Sequence, residues 1–406
     1  MPEAVIVAAA RSPIGKAYKG SLTSERADDL AVAMVRAALD KVPSLDPHEV
    51  DDVLLGTAQP AGEQGYGLAR VVAVTLGLDD VPGTTVQRYC ASSVQTTRMA
   101  LHAVKAGEAR VLISAGTEVV SRFGAGKADG MPDTRNPRYA DAGKRSEQRA
   151  AAGSAPWTDP RAEGTLPDVY VAMGQTAENV AQSRSVSRTA QDEFAALSQQ
   201  RAQRAIADGF FATDITPFTR ADGVVVSADD GPRPGVTAEK LGSLKPAFRE
   251  DGTVTAGNCC GLNDGAAALV IMSADRASEL GITPLARIVS TGVSALSPEI
   301  MGLGPVEATR RALALAGMST SDLDLVELNE AFAAQVLPVV DELKLDIDKV
   351  NVHGGAIALG HPFGQTGARL TTTLLNGLAF RGGQTGLVTM CTAGGQGMAL
   401  VLERLS

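Results

Sequence analysis

The chain alternates short, wholly apolar runs with longer segments in which apolar residues recur every three to four positions. Ala4 to Ala10 is such a run and predicts a buried strand, whereas Asp28 to Leu39 has the spacing of an amphipathic helix. Val53-Leu54-Leu55 predicts a second, shorter strand. A glycine-rich loop from Gly62 to Gly67 and a further helix follow, and then Thr84 to Val86 leads into Cys90. A helix is expected from Cys90 to about Lys105, so the pattern is a repeating βα unit.

Part of that pattern returns. Asp51-Asp52-Val53-Leu54-Leu55-Gly56 is similar to Asp324-Leu325-Val326-Glu327-Leu328-Asn329, and the segment from Gly107 to Ile113 is similar to that from Gly383 to Thr389. Both pairs are offset by about 275 residues, which predicts two similar βα halves; chance likeness between short βα units is the ordinary alternative. Between them, Ser121 to Arg249 carries clusters of Gly, Pro, Arg and Asp, the only Trp (Trp157), and one clear helix from Gln191 to Asp208. The expected organisation is therefore a first half over 1–120 plus 250–275, an inserted lobe over 121–249, and a second half over 276–406.

Composition narrows the function classes. A chain of 406 residues with 44% hydrophobic content can bury two or more cores. A net charge of -9 argues against a nucleic-acid partner, because neutralising phosphates needs clustered Lys and Arg. The start, Met-Pro-Glu-Ala-Val-Ile, lacks the pattern of a secretory leader and no apolar run approaches membrane-spanning length, so a cytoplasmic protein without a membrane partner is expected. Four cysteines, with Cys259 and Cys260 adjacent, make neither a disulfide framework nor a zinc-ligand spacing. No metal is expected, and the thiols are left to chemistry or packing.

Cys90 stands where a strand gives way to a helix, and free N–H groups with the positive end of the helix dipole are expected there to favour thiolate. A small residue at a tight turn is the plain alternative. His361, one of only four histidines, lies in the apolar, glycine-rich run Gly354 to Pro362 and could take a thiol's proton; a packed core histidine is the alternative, and His353 is a weaker candidate in the same run. Cys391 follows the strand Leu387 to Thr389 and is flanked by glycines, a placement suited to moving a proton to or from carbon. Asn329 follows a strand and could hold a water or a carbonyl oxygen, or else cap the next helix.

Taken in order, these segments resemble the thiolase family over nearly the whole chain. The resemblance is carried by Ala10-Arg11-Ser12-Pro13-Ile14-Gly15, the Cys90 segment, Gly252 to Asn258, Asn263-Asp264-Gly265-Ala266-Ala267, Asn329-Glu330-Ala331-Phe332, Gly360-His361-Pro362 and the Cys391 segment. It implies an α/β fold of two duplicated βαβαβαββ halves, layered α/β/α/β/α, with a loop domain inserted in the first that binds coenzyme A. It further implies a homodimer or homotetramer, and acyl-CoA and CoA as substrates with no tightly bound cofactor. Cys90 would be the acylated nucleophile, His361 its base, and Cys391 the acid/base for the α-carbon. One oxyanion site would comprise His361 and a water held by Asn329; the other would use the backbone N–H groups of Cys90 and Ala393. Arg233, Ala256, Cys260 and Met173 would contact substrate or CoA. Such an enzyme cleaves a 3-ketoacyl-CoA with CoA, or runs the reverse Claisen condensation.

The chain departs from the common family pattern at Ser93, where Gly is usual, at Cys260, where a CoA-contacting Ser is frequent, and at Ala393, where Gly is usual. Ala172 precedes Met173-Gly174, where thiolases favouring acetoacetyl-CoA often have His, so a longer acyl chain is the expectation. Three competing readings are a biosynthetic acetoacetyl-CoA thiolase, a ketoacyl synthase, which pairs its Cys with two histidines and lacks the second thiol, and a catalytically silent acyl-CoA or lipid-binding relative.

Overall fold

A computed structural model describes residues 2–131, 133–151 and 153–406. The first half runs β1 (Ala4–Arg11), α1 (Ala27–Leu39), β2 (Asp52–Gly56), α2 (Leu68–Thr75), β3 (Gly83–Val86), α3 (Ser92–Ala106), β4 (Val111–Val119) and, beyond the lobe, β5 (Asn263–Ser273). The lobe includes α4 (Met173–Ser183) and α5 (Arg188–Ala207). The second half runs β6 (Ala286–Ala295), α6 (Gly304–Ala316), β7 (Leu325–Leu328), α7 (Ala333–Leu343), α8 (Thr366–Arg381), β8 (Thr385–Thr392) and β9 (Gln396–Arg404).

The strands lie in the order β7-β8-β9-β6-β1-β5-β4-β2-β3. In the first half β2 is parallel to β3 and β4, and β4, β5 and β1 are antiparallel in turn; in the second β7 is parallel to β8, and β8, β9 and β6 are antiparallel in turn. The duplication therefore holds at the level of topology. It also holds at the level of single atoms. The Asp51 carboxylate accepts from the N–H groups of Arg110 (2.6 Å) and Val111 (2.9 Å), and Asp324 accepts from those of Gln384 (2.7 Å) and Thr385 (2.9 Å). Each aspartate fixes the start of the strand beside its own. The repeat is imperfect at one place: β3 has no full counterpart, only a parallel bridge between Val326 and Val350.

The two sheets meet along β1 and β6 over only two residue pairs, Val5 with Arg287 and Ile6 with Ala286. What unites the halves is the layer between them. Leu101 and Val104 of α3 and Leu370 and Leu374 of α8 share one core with Leu269 of β5 and Leu400 of β9. Helices α1 and α2 cover the outer face of the first sheet, and α6 and α7 that of the second, which completes five layers, α/β/α/β/α. Strands covered on both faces read as continuous apolar runs, and all of β5 is buried. Helix α8 is buried although rich in threonine, because Thr371 and Thr372 return their hydroxyls to the carbonyls of Gly367 and Ala368, both at 2.9 Å.

The lobe is more helical than its composition suggests. Besides α5 and α4 it holds helices at Ala140–Ala150 and Ala238–Gly242, and a small hairpin pairing Phe218–Thr219 with Val225–Val226. Glycine, proline and charge obscured the apolar spacing of these short helices. Arg11, at the end of β1, fastens the lobe: its guanidinium pairs with Asp214 at 2.7 Å and Asp229 at 2.6 Å, all three side chains being buried.

Candidate active site

Cys90 lies in a single turn, Tyr89–Ala91, immediately before α3, and not in the first turn of the helix itself. Tyr89 is held at φ +42°, a left-handed conformation that is costly for a bulky residue and is sustained only by its surroundings. Those surroundings are specific. The Ser92 hydroxyl accepts from Arg88 N–H at 2.9 Å and donates to the Tyr89 carbonyl at 2.6 Å. From the other half, Thr392 donates to the Arg88 carbonyl at 2.8 Å, and Arg88 donates to Gln396 at 2.7 Å. The end of β8, which carries Cys391, is thereby bound to the turn that carries Cys90.

The consequence is convergence of groups separated by some 300 positions. The backbone N–H of Ala393 lowers the Cys90 thiol's pKa and Cys90 raises that of Cys391, so both residues of the second half lie near the Cys90 sulfur. Ala393 can stand where Gly is usual because its φ is not positive; the left-handed positions of this turn are Gly394 and Gly395. Ser93, the other departure, uses its hydroxyl to accept from the Ala368 N–H of α8 at 2.9 Å.

His361 enters from a loop clamped on all sides. Its N–H donates to Asn263 at 3.0 Å, and the Asn263 amide donates to the Gly15 carbonyl at 3.0 Å. Gly360, at φ +119°, passes so close to Asn263 and Ile14 that a Cβ would lie 2.7 Å from each. Further along the loop, Gly364 N–H and Ala58 N–H both donate to the buried Glu118 carboxylate at 2.8 Å. The ring itself is oriented by Thr366, whose hydroxyl donates to the Pro362 carbonyl at 2.7 Å and so must accept from Nδ1–H of His361, also at 2.7 Å. The proton is thus on Nδ1, and Nε2 is left as the basic nitrogen. Asn329 Nδ2 donates to it at 3.3 Å, while Asn329 Oδ1 is buried with no protein partner.

Burial overrides the helix dipole here. Cys90 keeps some accessible surface, but desolvation pushes its thiol up to about 12, with a smaller contribution from the Glu118 charge, so the expectation of a resting thiolate is corrected to a resting thiol. Cys391 is raised by burial too, then by Cys90. His361 is pulled down to about 3 by burial and, secondarily, by Arg369. Burial thus favours the neutral form of each of these three groups.

Two clefts serve this centre. One, which ends at Gly360 beside His361, is lined by Lys16, Lys19, Arg233, Ala256 and Cys259. Arg233 and Ala256 thus share a wall with two lysines that the motifs did not single out; their spacing, three apart after Gly15, was the only signal. Cys260 does not line this cleft. Successive residues of an extended segment face opposite ways, so while Cys259 faces the cleft the Cys260 thiol lies within electrostatic reach of Cys90 and Cys391, raised by burial and then by these neighbours. The second cleft is lined by Tyr89, Met173, Ala393 and Gly394, and also by the exposed Tyr170 and Arg135. His353 takes no part in either: it stacks on Phe210 with centroids 3.7 Å apart and is pulled down to about 4 by burial, the signature of a packed core histidine. Among the described residues no group of three or more His, Cys, Asp or Glu is placed to hold a metal ion.

Two thiols, an oriented imidazole and nearby N–H and amide donors are the groups that an acyl transfer making or breaking a carbon–carbon bond next to a thioester would use. Comparison with known proteins agrees. Residues 4–275 match the model of the thiolase N-terminal domain and residues 282–404 that of the thiolase C-terminal domain; the chain belongs to the thiolase family and is an acyl-CoA acyltransferase. It is 42% identical to the 3-ketoacyl-CoA thiolase of Bacillus subtilis, covering 99% of this chain and 100% of that one. It is 44% identical to the 3-oxoadipyl-CoA/3-oxo-5,6-dehydrosuberyl-CoA thiolase of Escherichia coli, covering 100% of both. Human mitochondrial 3-ketoacyl-CoA thiolase superposes with a TM-score of 0.85 at 37% identity, covering 100% of this chain and 99% of that one.

Proposed function

We propose that this thiolase works in the degradative direction, cleaving 3-ketoacyl-CoAs longer than acetoacetyl-CoA, with Cys90 as the acylated nucleophile. The observation that supports the residue roles is His361, oriented by Thr366 on one ring nitrogen and facing Asn329 with the other, together with the electrostatic coupling of Cys391 to Cys90.

As substrate binds, His361 Nε2 takes the Cys90 proton and the sulfur attacks the C3 ketone. The alkoxide is held by the N–H groups of Cys90 and Ala393. Breaking C2–C3 expels the enolate of acetyl-CoA. Its oxygen is stabilised by protonated His361 and by a water accepted on Asn329 Oδ1, and its carbon takes the Cys391 proton. The Cys391 thiolate then deprotonates incoming CoA, whose sulfur attacks the acyl group. Cys90 leaves and recovers its proton from His361, while Cys391 has passed its own proton to acetyl-CoA and taken that of the incoming CoA, so both thiols and His361 end as they began.

Lys16, Lys19 and Arg233 bind the phosphates of CoA, Ala256 and Cys259 border its pantetheine arm, Cys260 lies toward the thiols rather than on that cleft, and Met173 borders the acyl group; the lobe over 121–249 is the CoA-binding domain between halves 1–120 plus 250–275 and 276–406. The enzyme acts in the cytoplasm, in fatty-acid β-oxidation or a similar chain-shortening route, as a homodimer or homotetramer, with CoA as substrate and without a resident cofactor. Ala172, small and apolar beside Met173, favours the longer acyl chain over the acetoacetyl-CoA reading. The test is thiolysis across a series of 3-ketoacyl-CoA lengths, followed by loss of enolate absorbance. The expected result is a higher kcat/KM for chains of six or more carbons, at an order of magnitude of about tenfold, and no activity in Cys90→Ser. A maximum at acetoacetyl-CoA overturns the chain-length reading, and persistent thiolysis in Cys90→Ser overturns the nucleophile.

A further inference from the structure

We propose that the acyl cleft is built for a chain that ends in a carboxylate, and that Arg135 reads it. The inference rests on the acyl-Cys90 reading above and adds the class of acyl group. The cleft is lined by Tyr89, the residue before Cys90, by Ala393 and by Met173. A purely hydrocarbon tail would be best served by apolar walls throughout. This cleft instead presents a guanidinium, which lies over the Tyr170 ring at 5.6 Å from its centroid.

The stacking is itself supported. The Tyr170 hydroxyl accepts from Asn136 N–H at 3.1 Å, and its ring meets Tyr139 edge-on with centroids 5.5 Å apart. A cation–π contact at this distance draws the exposed Arg135 guanidinium to the Tyr170 ring while leaving N–H donors free for a carboxylate, which a guanidinium can bind with two parallel hydrogen bonds. Among the described residues no Asp or Glu side chain pairs with Arg135. Asp129, on the same cleft, is engaged elsewhere: its carboxylate accepts from the Gln59 amide at 2.5 Å and its N–H donates to the same side chain at 3.0 Å. The cleft therefore offers one cation without a carboxylate partner among the described residues, on a wall shared with Tyr89, the neighbour of Cys90, and Ala393.

The experiment compares two six-carbon substrates that differ only at the far end, 3-oxoadipyl-CoA with a carboxylate and 3-oxohexanoyl-CoA with a methyl, in the wild type, Arg135→Gln and Arg135→Lys. The wild type is expected to prefer the carboxylate. Arg135→Gln should lower kcat/KM for 3-oxoadipyl-CoA by about tenfold or more through KM while leaving 3-oxohexanoyl-CoA within about twofold, and Arg135→Lys should recover part of the loss. Equal effects on both substrates, or a wild-type preference for the methyl end, overturn the carboxylate reading while leaving Cys90 in place. Failure to cleave either substrate overturns both readings together.

Discussion

Burial favours the neutral forms of Cys90, Cys391 and His361, and their proposed use depends on where single protons sit. His361 carries its proton on Nδ1 because the Thr366 hydroxyl is committed to the Pro362 carbonyl and has only a lone pair to offer. Thr366→Val should therefore lower kcat about tenfold or more with KM little changed, by freeing the ring and its tautomer, and Thr366→Ser should restore most of it. Steady-state kinetics on the two variants decides this; unchanged kcat in the valine variant would remove Thr366 from the mechanism. Burial of neutral imidazoles also sets the acid stability. His353 and His361 have folded values, about 4 and about 3, below the ordinary 6.5, so the unfolded chain binds protons that the folded one refuses. Their contribution is present above 6.5 and is lost as pH falls toward the folded values. The urea midpoint should drop between pH 7 and pH 5, and drop less in His353→Phe, which keeps a ring against Phe210 and has nothing to protonate.

Among elements, the site is made by junctions between the ends of strands and the loops that follow them. Gly116 on β4 shows how close these junctions are: a Cβ there would lie 2.1 Å from the Gly364 carbonyl oxygen, in the loop that carries His361. The Ala10-Arg11-Ser12-Pro13 motif also belongs to this scale. Ser12 accepts from Ala266 N–H at 3.0 Å and ties β1 to β5, while Arg11 holds two aspartates of the lobe. Removing one partner from a buried ion cluster typically costs about 3–5 kcal/mol, since the remaining charges stay buried without compensation. Arg11→Met should lose stability of that order in chemical denaturation. A change below about 1 kcal/mol would mean that the lobe is held by other contacts.

Over the whole molecule, charge is distributed against the average. The chain carries a net charge of -9, yet Lys16, Lys19 and Arg233 gather on one cleft, a local reversal that suits a polyanionic thiol such as CoA. Salt shortens the reach of such attraction to about 3 Å at 1 M, from about 10 Å at 0.1 M. The KM for CoA should accordingly rise several-fold with added salt while kcat is held, and the rise should be smaller in Arg233→Gln. A salt-independent KM would place the phosphates elsewhere. No helix is long and apolar enough to cross a membrane, among the described residues.

Much of this was legible along the chain because it depends on neighbours in sequence. The apolar runs of β1 and β2, the amphipathic spacing of α1, and the recurrence of Asp51 as Asp324 are local patterns, and both aspartates make the same pair of bonds. Motif order was enough to set the family. The helices of the lobe were obscured because their polar and glycine content weakens periodicity. What only the tertiary structure decided was electrical and directional. Whether Cys90 rests as thiol or thiolate, which nitrogen of His361 is basic, and which of Cys259 and Cys260 faces the cleft all depend on burial and on partners hundreds of positions away. Desolvation and hydrogen bonding act through space over a few ångströms, and no spacing along the chain encodes that distance.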